Sequence, residues 1–313
     1  MWKVAYLGGD PGFEATVGAL KGSADVTRIQ LNPISVAEAL IDADALLDAS
    51  MKVHVTDAMI RSANNLKIIS CATTGSDHID TSELEARGIP IRTLKDDPEF
   101  LQNITPAAEL SWALLMACAR NLCGAVTHTK SGKWVREEFP GAMLNGKKLG
   151  LIGCGRIGSW MARYGRAFGM SVSAFDPGRK SFPEGVESAT LEHLMKDSDF
   201  ISVHVHLTSL TKGLVHSGLF SVVKPGAIFI NTSRGAIVDE KAMLGALESG
   251  RLGGAGLDVL DGEPNIDSHP LIRYSQRRDN LIITPHCGGY SPDAVLKVTD
   301  LAARKILSTL TNF

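Results

Sequence analysis

Lys148-Leu149-Gly150-Leu151-Ile152 runs directly into Gly153-Cys154-Gly155-Arg156-Ile157-Gly158. An apolar strand that empties into a glycine turn and then into a helix is the sequence form of a βαβ unit that holds a dinucleotide. Gly153 permits the tight turn, Gly155 lets the backbone approach a pyrophosphate, and Gly158 allows helix and strand to pack closely. The helix N-terminus offers unpaired N–H groups to the phosphates. Alone the fingerprint is weak, since an ordinary glycine turn would look the same; its neighbours give it weight. The helix is predicted to end near Phe168-Gly169, a strand follows over Ser171–Phe175, and Asp176 closes it. That aspartate is placed to accept hydrogen bonds from an adenosine ribose and to repel a 2′-phosphate. NAD is the expected cofactor; Arg179 and Lys180 nearby leave NADP open but disfavoured.

Downstream, short apolar segments at 200–205, 227–230, 254–257 and 281–283 predict further strands with helices between them. Upstream, strands are predicted at 4–7, 45–47, 66–70 and 89–91, with helices at 34–43 and 56–63. Such alternation builds parallel sheets. After the charged stretch Lys95-Asp96-Asp97-Pro98, Thr105 and Pro106 supply an N-cap and a first-turn proline for a long helix toward Arg120, read as the crossing into a second domain. Ser291 and Pro292 open a terminal helix carrying Val295, Val298, Leu301, Ala302, Ile306 and Leu310 at near-helical spacing.

At 313 residues the chain exceeds what one core usually supports. With 32 basic and 34 acidic residues intermixed, it carries no electrostatic footprint for nucleic acid or an anionic membrane. No apolar run approaches the roughly 20 residues that span a bilayer, and the first ten residues do not read as a secretion signal. Cys71, Cys118, Cys123, Cys154 and Cys287 lack paired CxxC spacing, so buried thiols are expected rather than a disulfide framework or a zinc site. The expectation is a soluble, cytoplasmic protein whose partners are small molecules.

Three further segments each supply a polar residue of a different kind: Asn231-Thr232-Ser233-Arg234-Gly235, Leu257-Asp258-Val259 with Gly262-Glu263-Pro264, and Thr284-Pro285-His286. A fixed cation holds a carboxylate, a carboxylate tunes a histidine, and a histidine moves a proton. In isolation Arg234 reads as a surface cation, Glu263 as a turn residue and His286 as a capped loop histidine. Their coincidence in order behind a glycine fingerprint points instead to a dehydrogenase.

With Thr74-Gly75-Ser76-Asp77-His78-Ile79-Asp80 and Phe168-Gly169-Met170, these segments make the chain resemble the D-isomer-specific 2-hydroxyacid dehydrogenases over nearly its whole length, most weakly in the first fifty residues. The resemblance implies two doubly wound, Rossmann- and flavodoxin-like α/β domains with an interdomain active-site cleft. Residues 1–100 and 287–313 would form the substrate-binding domain, and 101–286 an inserted NAD-binding domain. It also implies a homodimer, formed largely through the cofactor domain. Arg234 would hold the substrate carboxylate and polarise the 2-oxo group, His286 would carry the proton, and Glu263 would orient its ring. Thr74 and Gly75 would receive the carboxylate on backbone N–H groups. Gly153, Gly155, Arg156, Ile157, Gly158, Asp176, Val205, Thr232, Asp258 and Gly288 would contact the cofactor, with Asp258 near the nicotinamide carboxamide.

His204 and His206, two apart on a predicted strand, would face one side as a metal pair does. No third ligand is visible, and no metal is expected. His206 stands where the family usually has proline, which alters the loop there. Glu109 and Arg120 match family positions without a chemical task, and ion pairing is expected for them. Formate and phosphite dehydrogenases share the pattern except for a glutamine where Glu263 stands and a lysine where Thr74 stands, respectively. The expected activity is interconversion of a small 2-oxo acid (glyoxylate, hydroxypyruvate or pyruvate-like) and its D-(R)-2-hydroxy acid. The alternatives are a phosphoglycerate dehydrogenase-like activity and an NAD(H)-sensing binding protein on the same fold. Against these stand the single lysine in Ala49-Ser50-Met51-Lys52, without the arginine expected of a phosphoglycerate-type site, and the lack of an extended tail or appended regulatory domain.

Overall fold

The computed structural model describes the whole chain, Met1–Phe313, which divides into two compact units, Met1–Ile104 with Tyr290–Phe313, and Thr105–Gly289. The first unit holds β1 (Trp2–Leu7), β2 (Ala24–Arg28), β3 (Ala45–Asp48), β4 (Ile68–Cys71) and β5 (Ile91–Arg92) in one parallel sheet of order β2-β1-β3-β4-β5. Its strands alternate between two cores: Val4 and Tyr6 face one side with Ile306 and Leu310 of the terminal helix Pro292–Leu310, while Ala5 and Leu7 face the other with Val36 and Leu40. Burial on both faces explains why these strands read as continuous apolar runs rather than alternating ones. Ser70 Oγ fastens the terminal helix by donating to the Ala302 carbonyl at 2.9 Å.

The second unit holds β6 (Lys148–Ile152), β7 (Ser171–Phe175), β8 (Val186–Ser188), β9 (Phe200–Val203), β10 (Ala227–Asn231), β11 (Leu252–Leu257) and β12 (Leu281–Ile283), ordered β12-β11-β10-β9-β6-β7-β8. All pairings are parallel. The order reverses between β6 and β9, the switch point of a doubly wound sheet, where ligands meet the carboxyl ends of the strands. Here too the faces divide, with Ala227 and Phe229 in one core and Ile228 and Ile230 in the other.

Several details depart from the expected elements. A helix over Asp10–Ala19 and the strand β2 fill the stretch read only as strand and turn at its start. β9 stops at Val203 instead of 205, although the His204 N–H still donates to the Ile152 carbonyl at 2.7 Å. Thr105 precedes the long helix Pro106–Ala119, but its hydroxyl donates to Glu109 Oε1 at 2.5 Å rather than capping the backbone. Glu109 is thereby occupied without a cation, and the exposed Arg120 lies along Gly141, so the expected ion pairs do not form. The units divide at Thr105 and after Gly289, not at 101 and 287. Residues 287–289 stay with the second unit because Asp258 holds the Cys287 and Gly288 N–H groups.

Candidate active site

β6 delivers the chain to Gly153 at φ +91°, where a Cβ would lie 2.5 Å from the His204 carbonyl oxygen and 2.6 Å from Val205 Cγ1. Only glycine fits that conformation and that approach. At Gly158 a Cβ would stand 2.3 Å from the Gly153 oxygen, so this glycine serves the packing of helix Arg156–Ala167 on the turn. Gly155, the helix N-cap, is different: a Cβ there would meet nothing within 4 Å, and no side chain caps the helix. The turn is open at the point where first-turn N–H groups attract an anion. Arg156 and Ile157, half-buried, form that first turn. Asp176 Oδ2 accepts from Cys154 N at 2.9 Å and Oδ1 from Gly178 N at 3.1 Å, leaving each oxygen a further lone pair. The open glycine, the uncapped helix and this carboxylate at the end of β7 together fit a dinucleotide. Arg179 donates to the Cys154 carbonyl and, at 3.2 Å, to Ser159 Oγ, so it borders the same turn.

The three polar segments leave the carboxyl ends of β10, β11 and β12, which are consecutive neighbours in the sheet. Asn231, buried at the end of β10, donates from Nδ2 to the Arg234 carbonyl (2.9 Å) and accepts from Ser233 N (3.0 Å), while Ser233 Oγ donates to the Val203 carbonyl (2.8 Å). This loop is locked before Arg234 leaves it, half-buried, with Nη1 on the Ser233 carbonyl at 2.8 Å. Gly235 lies against the next loop so closely that a Cβ would meet Asp261 N at 2.0 Å. Thr232 Oγ1 stands 2.6 Å from Ser111 Oγ, whose hydrogen goes to the Ala107 carbonyl at 2.6 Å. Ser111 must then accept from Thr232, which keeps its own lone pairs for a ligand.

His286 sits at φ +51° after β12, with Nδ1 2.6 Å from Glu263 Oε1, and the side chains are 35% and 28% exposed. Engagement of Nδ1 leaves Nε2 for chemistry. Glu263 Oε2 also accepts from Leu260 N at 3.4 Å. Beneath the histidine, Asp258 is 1% exposed and takes three donors: Thr284 Oγ1 at 2.6 Å and Cys287 N at 2.9 Å on Oδ1, and Gly288 N at 2.7 Å on Oδ2. Sequence reasoning assigned Asp258 to the cofactor and gave Thr284 no role; their bond joins β11 to β12 and was not readable from either segment.

Thr74 and Gly75 follow β4 in the first unit. Thr73 Oγ1 ties the loop by donating to the Gly75 carbonyl at 2.7 Å, and the N–H groups of Thr74 and Gly75 meet no acceptor of the protein. His204 turns Nε2 to Ser202 Oγ at 2.8 Å, and burial pushes its titration down to about 3, so the ring is neutral throughout the ordinary pH range.

The NAD-binding domain described for D-isomer specific 2-hydroxyacid dehydrogenases matches residues 112–288. A hydroxypyruvate reductase of Thermotoga maritima is 35% identical over 93% of this chain and 92% of its own length. A D-3-phosphoglycerate dehydrogenase of Bacillus subtilis is 36% identical over 89% of this chain, which spans only 52% of that relative. Among solved structures, the TT0316 protein of Thermus thermophilus superposes with a TM-score of 0.87 at 32% identity, over 99% of this chain and 97% of the other. Fold and glycine turn define a dinucleotide-dependent oxidoreductase. The chain belongs to the D-isomer specific 2-hydroxyacid dehydrogenase family and carries that family's NAD-binding domain, with NADP also possible as cofactor.

Proposed function

We propose that the protein reduces a small, singly charged 2-oxo acid to the D-(R)-2-hydroxy acid, with His286 as the acid and, in reverse, the base. The observation that carries this reading is the His286 Nδ1–Glu263 Oε1 contact of 2.6 Å, which holds the ring and leaves Nε2 for proton transfer. Bound NADH supplies the hydride. As negative charge develops on the substrate oxygen, an imidazolium within hydrogen-bond reach neutralises it from Nε2, and Glu263 stabilises the charged ring. Arg234, permanently charged and planar, suits the substrate carboxylate and polarises its 2-oxo group. The unused N–H groups of Thr74 and Gly75 suit a carboxylate. Asp176, at the end of β7, suits ribose hydroxyls, opposes a 2′-phosphate and favours NADH over NADPH.

Phosphoglycerate-type activity is the second reading, favoured by the Bacillus relative's name. A second anionic group needs its own cation, and in Ala49-Ser50-Met51-Lys52 only exposed Lys52 is one. Steady-state rates with glyoxylate, hydroxypyruvate, pyruvate and phosphohydroxypyruvate, each with NADH and NADPH, test both readings. The expected result is a higher kcat/KM for the unphosphorylated acids and for NADH. A much higher value for the phosphorylated acid defeats the proposed substrate class, and tight NADH binding without turnover of any acid points to a binding protein.

We further infer a homodimer formed through the second unit, where Leu122, Val126, Trp134, Val135 and Met143 are exposed, Trp134 at 90%. Large exposed apolar side chains such as these are what a subunit interface would cover. Sedimentation equilibrium is expected to give twice the chain mass, and Trp134→Glu to shift the mass toward one chain; a monomeric wild type refutes the assignment. Five free cysteines suit the reducing cytoplasm, a location that cell fractionation checks.

A further inference from the structure

Outside the machinery above, the first unit contains a buried acid–base pair that no step of the reaction uses. Asp48, the last residue of β3, has a fully buried side chain, and the side chain of His78 is 10% exposed; Asp48 Oδ2 lies 2.6 Å from His78 Nε2. The other oxygen, Oδ1, accepts from Ser50 N at 2.7 Å, Ser50 Oγ at 3.0 Å and Met51 N at 3.2 Å. Three donors crowd Oδ1 and one meets Oδ2, so this carboxylate is engaged within the protein through both oxygens. What it holds is a turn: Met51 sits in the left-handed region at φ +57°, a conformation unfavourable to a residue with a side chain. Lys52 N then donates to Ser50 Oγ at 3.3 Å, extending the same knot.

His78 belongs to the neighbouring loop. Its carbonyl accepts from Val55 N at 2.9 Å, Asp80 N donates to the Val55 carbonyl at 2.9 Å, and Val55 and Ile79 form an isolated parallel bridge. The loops after β3 and β4 are therefore joined twice, by this bridge and by the Asp48–His78 pair. His78 Nδ1 is buried and has no partner. The loop after β4 carries Thr74 and Gly75.

We infer that Asp48 and His78 are positioning residues that set the shape of the 50–53 turn against the Thr74-Gly75 loop, and thereby affinity and selectivity for the 2-oxo acid. This rests on the proposed role of Thr74 and Gly75 in holding the substrate carboxylate. The pair touches neither substrate nor cofactor, so its loss acts on KM for the acid, not on hydride transfer or NADH binding.

The test compares His78→Leu, Asp48→Asn and His78→Gln with wild type, using glyoxylate and hydroxypyruvate, and measures kcat, KM, NADH Kd by fluorescence and Tm. His78→Leu and Asp48→Asn are each expected to raise KM about tenfold, the scale of a lost hydrogen bond to a charged group, with kcat and NADH Kd within about twofold of wild type. His78→Gln, whose amide N–H reaches toward the position of Nε2, is expected to recover most of the loss. An unmoved KM, even with a lowered Tm, overturns the inference, as does a fall in kcat and NADH affinity together. Should His78→Leu fail to fold, Asp48→Asn and Ser50→Ala carry the same test. A wild type that turns over neither acid overturns this inference together with the substrate reading. An active wild type with unchanged variants overturns the pair's role alone.

Discussion

His286→Ala is expected to lower kcat for 2-oxo acid reduction by about 10²- to 10⁴-fold, the usual contribution of a positioned general acid. NADH affinity should change little, because the substitution removes a proton carrier and little of the dinucleotide's surface. Its structural cost should also be small: Glu263 loses its partner but is 28% exposed and can be solvated by water. His204 does not take over. It is held near Ser202 with its titration pushed down to about 3 by burial, so it is uncharged at assay pH and is no imidazolium acid. Single-turnover rates at saturating NADH, with the affinity measured independently by fluorescence, decide the matter. A variant that keeps most of its kcat refutes the role of His286.

The parts of the molecule legible in its sequence are those whose signals are local. Strand, glycine turn and helix over Lys148–Phe175 follow one another within a few residues, and β6 and β7 have the predicted bounds. The helix Asp10–Ala19 escaped because Gly12 and Gly18 weaken its propensity and only Gly12 and Thr16 of its face are buried. β2 escaped because ADVTR, an edge strand, buries none of its residues fully. For the candidate site, the sequence supplied the residues, and the family resemblance supplied one bond between them, that of Glu263 to the His286 ring; the remaining bonds were not legible. The Glu263–His286 contact joins the ends of two strands, and its existence depended on sheet order. Asp48 and His78 lie thirty positions apart, and nothing in the sequence pointed to their pairing. Thr284 and Ser111, small hydroxyls in apolar surroundings, became meaningful only once Asp258 and Thr232 were seen beside them.

Asp258→Asn, nearly isosteric, is expected to reduce kcat by about 10²-fold, because a misplacement near 1 Å of a catalytic group costs that much. The reason lies in the count of donors. Both oxygens of Asp258 accept, one from Thr284 Oγ1 and Cys287 N and the other from Gly288 N. Whichever way the amide turns, its NH₂ faces an N–H, and a buried donor is left opposed. Relief requires the 284–288 segment to move, and His286 sits inside that segment at φ +51°, where the backbone is already constrained. A shift there separates the ring from Glu263 and misdirects Nε2. Thr284→Val removes only one of the three donors and leaves the carboxylate with both N–H partners, so a loss of only a few-fold is expected there. The competing view, that Asp258 serves chiefly the nicotinamide carboxamide, gives a different pattern: NADH affinity falls in step with kcat/KM, and kcat recovers at saturating NADH. Measuring Kd for NADH beside kcat separates the two. If saturation restores the rate, Asp258 is a cofactor ligand first, and holding His286 is incidental to it.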